Sequence, residues 1–135
     1  MNGETILSEE SARENFKKFV DFYDIDEKDL EDETIKKFMG GIIRAVRKGR
    51  LEFEDTEDGL IVHQNLVRPV GKVSRLTYGQ FNGAAKKAID TQKGEVAKIH
   101  AMMAKLSRES MGLIEKLVGP DYSTMESLAV LFSVA

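Results

Sequence analysis

Hydrophobic and polar positions follow two different periods along this chain. Ile35, Phe38, Met39, Ile42, Ile43 and Val46 recur at i, i+3, i+4, i+7, i+8 and i+11, the apolar stripe of an amphipathic helix. Lys36, Lys37, Arg44, Arg47 and Lys48 take the other side, and the last three suit the negative end of the helix dipole. Gly49 is placed to end the helix as its C′ residue. Gly40-Gly41, inside the pattern, costs roughly 1 kcal/mol per glycine relative to alanine. Close approach of another backbone, such as the hairpin that follows, would account for the pair; so would a kink.

The period then changes to two. Arg50-Leu51-Glu52-Phe53-Glu54 places Leu51 and Phe53 on one face of a strand, and Asp55 to Gly59 gathers turn formers. A second strand runs from Leu60 to Val67, with Val62, Gln64 and Leu66 on one side and His63 and Asn65 on the solvent side. Pro69 and Gly71 end it, because proline cannot donate to a ladder. A lone two-stranded hairpin is marginal in water, so this one, over about residues 50–67, must pack on helices.

Helical spacing fills the rest. Met1 to Leu7 is a loose lead-in. Ser11 to Glu14 has the spacing of a capping box and opens a helix to about Tyr23, with Phe16, Phe19, Val20 and Tyr23 on one face. Thr77 is an N-cap candidate for a helix to about Thr91, with Phe81, Ala84, Ala85, Ala88 and Ile89 inward. Val96, Ile99, Met102, Met103 and Leu106 predict a helix from about Gly94 to Leu106. Ser107 to Val118 gives a short helix that Gly119-Pro120 ends. Ser123 to Glu126, a second capping box, opens a last helix with Leu128, Leu131 and Phe132 inside. The fold class is therefore α+β, mostly α: one domain over residues 1–135, its hairpin packed against five or six helices. Residues 1–49 form a helical N-terminal extension, and 50–135 hold the hairpin and C-terminal helices.

Composition narrows the functions. A chain of 135 residues with 41% hydrophobic and 32% charged residues has the make-up of a soluble globular domain able to bury about two thirds of its unfolded surface. It contains no cysteine, hence no disulfide, thiolate zinc site or cysteine nucleophile. No apolar run is long enough for a membrane span, and the polar start is no signal peptide; the cytoplasm is the expected compartment. The net charge of −3 divides unevenly. Residues 1–60 carry 17 acids and 10 bases, and residues 61–135 carry 6 and 10. The halves could attract one another or a complementary partner, although solvated faces explain the same asymmetry.

No catalytic constellation is visible. His63 and His100, the only histidines, fall on different elements without a carboxylate at ligand spacing, so no metal site or cofactor is expected. The acidic run from Asp24 to Glu33 lacks the central glycine of a calcium loop and reads as a solvated charge run. Gly40-Gly41 precedes no Lys-Ser/Thr step and is no phosphate loop. Ser107 and Ser110 have no nucleophile-elbow context. The second half is mildly basic but lacks a recognition helix or interleaved aromatics, which argues against nucleic-acid binding. Met102 and Met103 could form an adaptable contact surface or a core stripe. An enzyme is not the reading.

The order of elements carries a resemblance. Leu60-Ile61-Val62, Leu66-Val67-Arg68-Pro69, Leu76-Thr77-Tyr78-Gly79-Gln80-Phe81 and Leu117-Val118-Gly119-Pro120-Asp121-Tyr122 resemble the tail assembly chaperones of contractile-tailed, Mu-like phages. In that family a strand ending in an Arg-Pro step leads to a Leu-Thr helix start, then to a short helix, a Leu…Asp-Tyr step and a terminal helix. Arg68, Pro69, Leu76, Thr77, Asp121 and Tyr122 hold the matching positions. The resemblance covers about residues 50–135, and the N-terminal helices depart from it. It implies a non-enzymatic protein of the host bacterial cytoplasm that binds the long helical tape-measure protein during tail morphogenesis. Met102, Met103 and Phe132 are the candidate anchors for that contact. The competing readings are a tail completion or connector factor that stays in the particle and, behind it, a small nucleic-acid-binding regulator. The edge of the hairpin is a candidate surface for homo-oligomers.

Overall fold

The computed structural model describes residues 6–135; the expected lead-in lies mostly outside them. Among the described residues, seven helices and three strands follow in the order α1 (Glu9–Phe22), α2 (Glu27–Glu31), α3 (Glu33–Arg47), β1 (Leu51–Thr56), β2 (Gly59–Val70), β3 (Val73–Tyr78), α4 (Gly83–Asp90), α5 (Glu95–Ser107), α6 (Met111–Glu115) and α7 (Pro120–Ser133). The α+β, mostly helical class is as expected. The hairpin, however, is two strands of an antiparallel three-stranded sheet in the order β1-β2-β3.

The expected helix start at Leu76-Thr77 is instead strand β3. Gly71, at φ +60°, turns the chain between the paired Val70 and Val73, a conformation glycine adopts without steric cost. Leu76 and Tyr78 then point into the core while Arg75 and Thr77 stay exposed, the period-two pattern that selects a strand. Pro69 does not end β2, because the β2–β3 register shifts between Asn65 and Val70. An irregularity in the ladder tolerates a residue without an N–H. The following helix is capped by Asn82, whose side chain accepts from Ala84 and Ala85 N–H.

One face of the sheet is the core face. Leu51, Phe53, Leu60, Val62, Gln64, Leu76 and Tyr78 all lie within 2% of complete burial, covered by α1, α3, α5 and α7. Phe132 sits in the middle of that layer, its ring 5.2 Å from Phe19, which is in turn 5.7 Å from Phe53. The Phe19–Phe132 pair is edge-on, and such pairs add about 0.5–1.5 kcal/mol beyond area burial. The stripe of α3 is buried at Ile35, Ile42, Ile43 and Val46, and Gly49 follows the helix at φ +73°, as the periodicity predicts. Gly41 marks the close approach, but to α7: a Cβ there would lie 3.2 Å from Ser127 Oγ.

The other helix boundaries differ from expectation at their caps. Ser8, not Ser11, caps α1 by accepting from Ser11 N–H at 3.1 Å. The acidic run contains α2, and two of its carboxylates are caps: Asp26 accepts from Lys28, and Asp32 from Thr34 and Ile35. Gly119-Pro120 does not stop a helix but starts α7, with Pro120 in the first turn, where its missing N–H costs nothing. Ser123 to Glu126 therefore lies inside α7.

The edge of β1 is occupied. Asn15 of α1 donates from Nδ2 to Phe53 O at 3.2 Å and accepts from Phe53 N at 3.1 Å, while Lys18 Nζ also donates to Phe53 O. The amide stands in for a neighbouring strand at that position, a device that blunts an edge.

Candidate partner-binding groove

The most apolar opening lies where α4, α5 and α7 meet. Ile99 and Met102, one turn apart on α5, face Ala129 and Val130 of α7, and Ile89 closes one end from the last turn of α4. Glu95, Lys98 and Ser133 form the rim of this groove of about 200 Å³. Val96, one turn before Ile99, is 59% exposed. The groove is smaller than the roughly 300–1,000 Å³ of small-molecule sites. It has room for a few apolar side chains projecting from a partner's helix, the mode in which an amphipathic helix lies in a groove. A larger cleft of about 540 Å³ between α1 and α2 has an apolar floor that includes Val20 and Leu30, but Asp21, Asp24 and Glu27 line it as well.

Of the three anticipated anchors, Met102 alone lines this groove, with 3% of its surface exposed; Met103 and Phe132 are completely buried. Met103 and Phe132 are core residues, because the helical stripe that carries them faces the sheet. Ile99, Val130 and Val96 are more accessible than these three, although none of them is among the anticipated anchors. Their signal was present: Val96 and Ile99 continue the stripe of α5 one turn before Met102.

The residues of the resemblance split into groups. Asp121, in the first turn of α7, is 1% exposed. Its carboxylate accepts from Val67 N at 2.7 Å and Arg68 N at 2.9 Å, which joins the Arg-Pro and Asp-Tyr steps in space. Arg68 and Pro69 themselves are exposed. Leu76 is core, and Thr77 lies on the outer face of β3. Tyr122 OH lies 3.0 Å from His100 Nε2. Behind Asp121, Gln64 Nε2 donates to the Asp121 carbonyl at 2.9 Å, and Tyr78 OH donates to Gln64 Oε1 at 2.7 Å. Burial first, and then the charge of Asp121, push the Tyr78 phenol far above its ordinary value of 10.0. Among the described residues no side-chain nitrogen or oxygen atom that is itself sealed from solvent lacks a partner, so this network is satisfied rather than poised.

His63 corrects the sequence reading. It lies on the face opposite Val62 and Gln64, as the alternation predicts, yet only 9% of it is exposed. It also has a carboxylate: Glu54 Oε1 is 2.7 Å from Nε2, and Thr77 Oγ1 is 3.1 Å from Nδ1. A hydroxyl, an imidazole and a carboxylate are the groups of nucleophilic catalysis, so their surroundings decide what they do. The three residues line none of the main clefts. They sit on β3, β2 and β1 respectively and pin the three strands together. Register counting from the 57–58 turn, which sets Glu52 opposite His63, puts both glutamates on the imidazole's face.

Among the described residues there is no cluster of three or more histidine or acidic side chains able to hold a metal ion, and no helix is long and apolar enough to cross a membrane. No protein-family model, curated protein or solved structure matches the chain.

Proposed function

We propose that this chain is a non-enzymatic binding protein that covers an apolar helix face of another polypeptide. We further propose that it serves as a phage tail assembly chaperone whose partner is the tape-measure protein. The observation that carries the first part is the groove of Ile99, Met102, Ala129 and Val130. Desolvating the apolar side chains of a partner helix there is favourable by about 25 cal/mol per Å² removed from water. Glu95 and Lys98 on the rim set orientation more than affinity. The second part rests on the resemblance of residues 50–135, whose Arg-Pro and Asp-Tyr steps meet through Asp121. The protein then acts in the cytoplasm of a host bacterium and leaves before the tail is complete.

The test is co-expression with a helical fragment of a tape-measure protein and recovery at low salt. Retention is expected, with a loss of at least about tenfold in affinity for Ile99→Glu or Val130→Glu, since either substitution puts a charge where an apolar contact is made. No retention of any tape-measure segment overturns the chaperone reading. Finding the protein in purified particles by mass spectrometry replaces it with that of a completion or connector factor.

A further inference from the structure

A second opening lies between α3 and α7, away from the partner groove. Arg44 and Arg50 stand over a cleft of about 230 Å³, and Ser123, Thr124 and Ser127 of α7 present hydroxyls along it. Neither arginine belongs to an ion pair among the described residues. Thr124 and Ser127 are 7% and 8% exposed. Unlike Ser133, whose hydroxyl donates to the Val130 carbonyl, neither makes a side-chain hydrogen bond to another described residue. Gly41 forms the facing wall, and its missing side chain keeps the cleft open: a Cβ would come within 3.2 Å of Ser127 Oγ. Of the two acids on α7, Asp121 turns its carboxylate to Val67 and Arg68 on β2, and Glu126, beside Tyr122, is not among the residues that line the cleft.

The surroundings are positive as well. Asn65 N donates to Arg50 O at 2.8 Å and Asn65 Nδ2 to Gly49 O at 3.0 Å. These contacts bring residues 44–50 alongside the β2–β3 arm. Together residues 44–50 and 65–78 hold seven lysines and arginines and no acid. The potential from such a cluster attracts anions before any contact forms.

We infer that the α3–α7 cleft is an oxyanion site that takes a single phosphate group, held by Arg44 and Arg50 and by the hydroxyls of Thr124 and Ser127. Guanidinium groups pair with phosphate through two parallel hydrogen bonds. Two guanidiniums and the hydroxyl row offer more donors than the two oxygens of a carboxylate can accept, and phosphate can use them. The volume suits one phosphate group and falls short of a drug-sized ligand. The phosphate is either the free anion or the end group of a phosphomonoester.

The experiment titrates inorganic phosphate into the intact chain at constant ionic strength, with chloride as the balance, and follows backbone amide signals by NMR. Saturable shifts confined to Gly41, Arg50, Ser123, Thr124 and Ser127 are expected. Arg44→Gln with Arg50→Gln should weaken the response at least about tenfold, while Arg68→Gln with Lys72→Gln, which lowers only the surrounding potential, should weaken it far less. If the first pair does not fold, Arg50→Lys keeps the charge, loses the two-pronged contact and should still weaken binding. Methyl phosphate separates the two sources: its retention assigns a phosphomonoester, and its exclusion with phosphate retained assigns the free anion. Unsaturable shifts, acetate binding as tightly as phosphate, or equal weakening by the two double variants overturns the site.

Discussion

The Asp121 carboxylate and the Val67 N–H meet at 2.7 Å across the boundary between the last helix and the middle strand. With the second contact, from Arg68 N at 2.9 Å, one side chain replaces the ladder that β1 does not extend to this part of β2. Asp121 itself is 1% exposed, and Asp121→Ala leaves two part-buried backbone donors without their acceptor. Hydrogen bonds to charged groups contribute about 1.5–3 kcal/mol each. A loss of about 3 kcal/mol in urea unfolding is expected for Ala, and a smaller one for Asn, which keeps one carbonyl oxygen. An unchanged midpoint would show that water serves these donors equally well.

Gly40 and Gly41 should part company on substitution. A Cβ at Gly40 meets nothing within 4 Å, whereas one at Gly41 meets Ser127 Oγ at 3.2 Å. Gly40→Ala should therefore stabilise by up to about 1 kcal/mol through helix propensity. Gly41→Ala should gain nothing or lose stability, and should recover the gain when Ser127→Ala removes the hydroxyl. A double-mutant cycle with a coupling below about 0.3 kcal/mol would refute this account of the pair.

Asn15 closes β1 at Phe53 with two hydrogen bonds, at 3.2 and 3.1 Å. Asn15→Leu removes both and should cost about 1–3 kcal/mol. It should also raise light scattering with concentration, because it uncovers backbone groups that pair with any passing strand. A variant that is destabilised yet strictly monomeric would confine Asn15 to a packing role.

All three tyrosines have phenols shifted above 10.0, chiefly by burial, and Tyr78 has by far the largest shift. In the unfolded chain these groups ionise first. The folded state therefore keeps its full stability below about pH 10 and loses it as the pH rises beyond that. In an alkaline titration monitored by tyrosine absorbance, Tyr78 should ionise only together with unfolding. Tyr78→Phe should flatten the alkaline decline and, by leaving Gln64 Oε1 without its donor, lower stability at neutral pH by about 1–3 kcal/mol. A Tyr78 signal that titrates reversibly in the folded protein contradicts its burial.

Local pattern identified the elements that bury one continuous stripe. The face of α3 from Ile35 to Val46, the body of α5 and the β1–β2 pair were all readable, because a long period or a turn cluster marks each of them. β3 was not: Val73 falls out of step with the alternation of Leu76 and Tyr78, and Leu76-Thr77 also reads as a cap. What makes it a strand is its pairing with β2, which no local signal encodes. Gly119-Pro120-Asp121 did carry a start signal, with Pro in the first turn and an acid beside it, but the Ser123–Glu126 spacing imitates one three residues later. The groove was half legible, since a helical wheel cannot tell whether Met103 and Phe132 meet a partner or the chain's own sheet. The Glu54–His63–Thr77 string depends on register across three strands, and the α3–α7 cleft on where Gly41 comes to lie.

The tie between Asp121 and β2 has a bearing on synthesis. Val67 and Arg68 precede their acceptor by 54 and 53 positions, so at roughly 5–20 residues per second their amides wait about 3–10 s on the ribosome for a carboxylate that does not yet exist. During that interval the β2–β3 arm is held by water alone along this stretch, and the nascent chain is open to capture there by other strands. The arrival of α7 is what withdraws that opportunity.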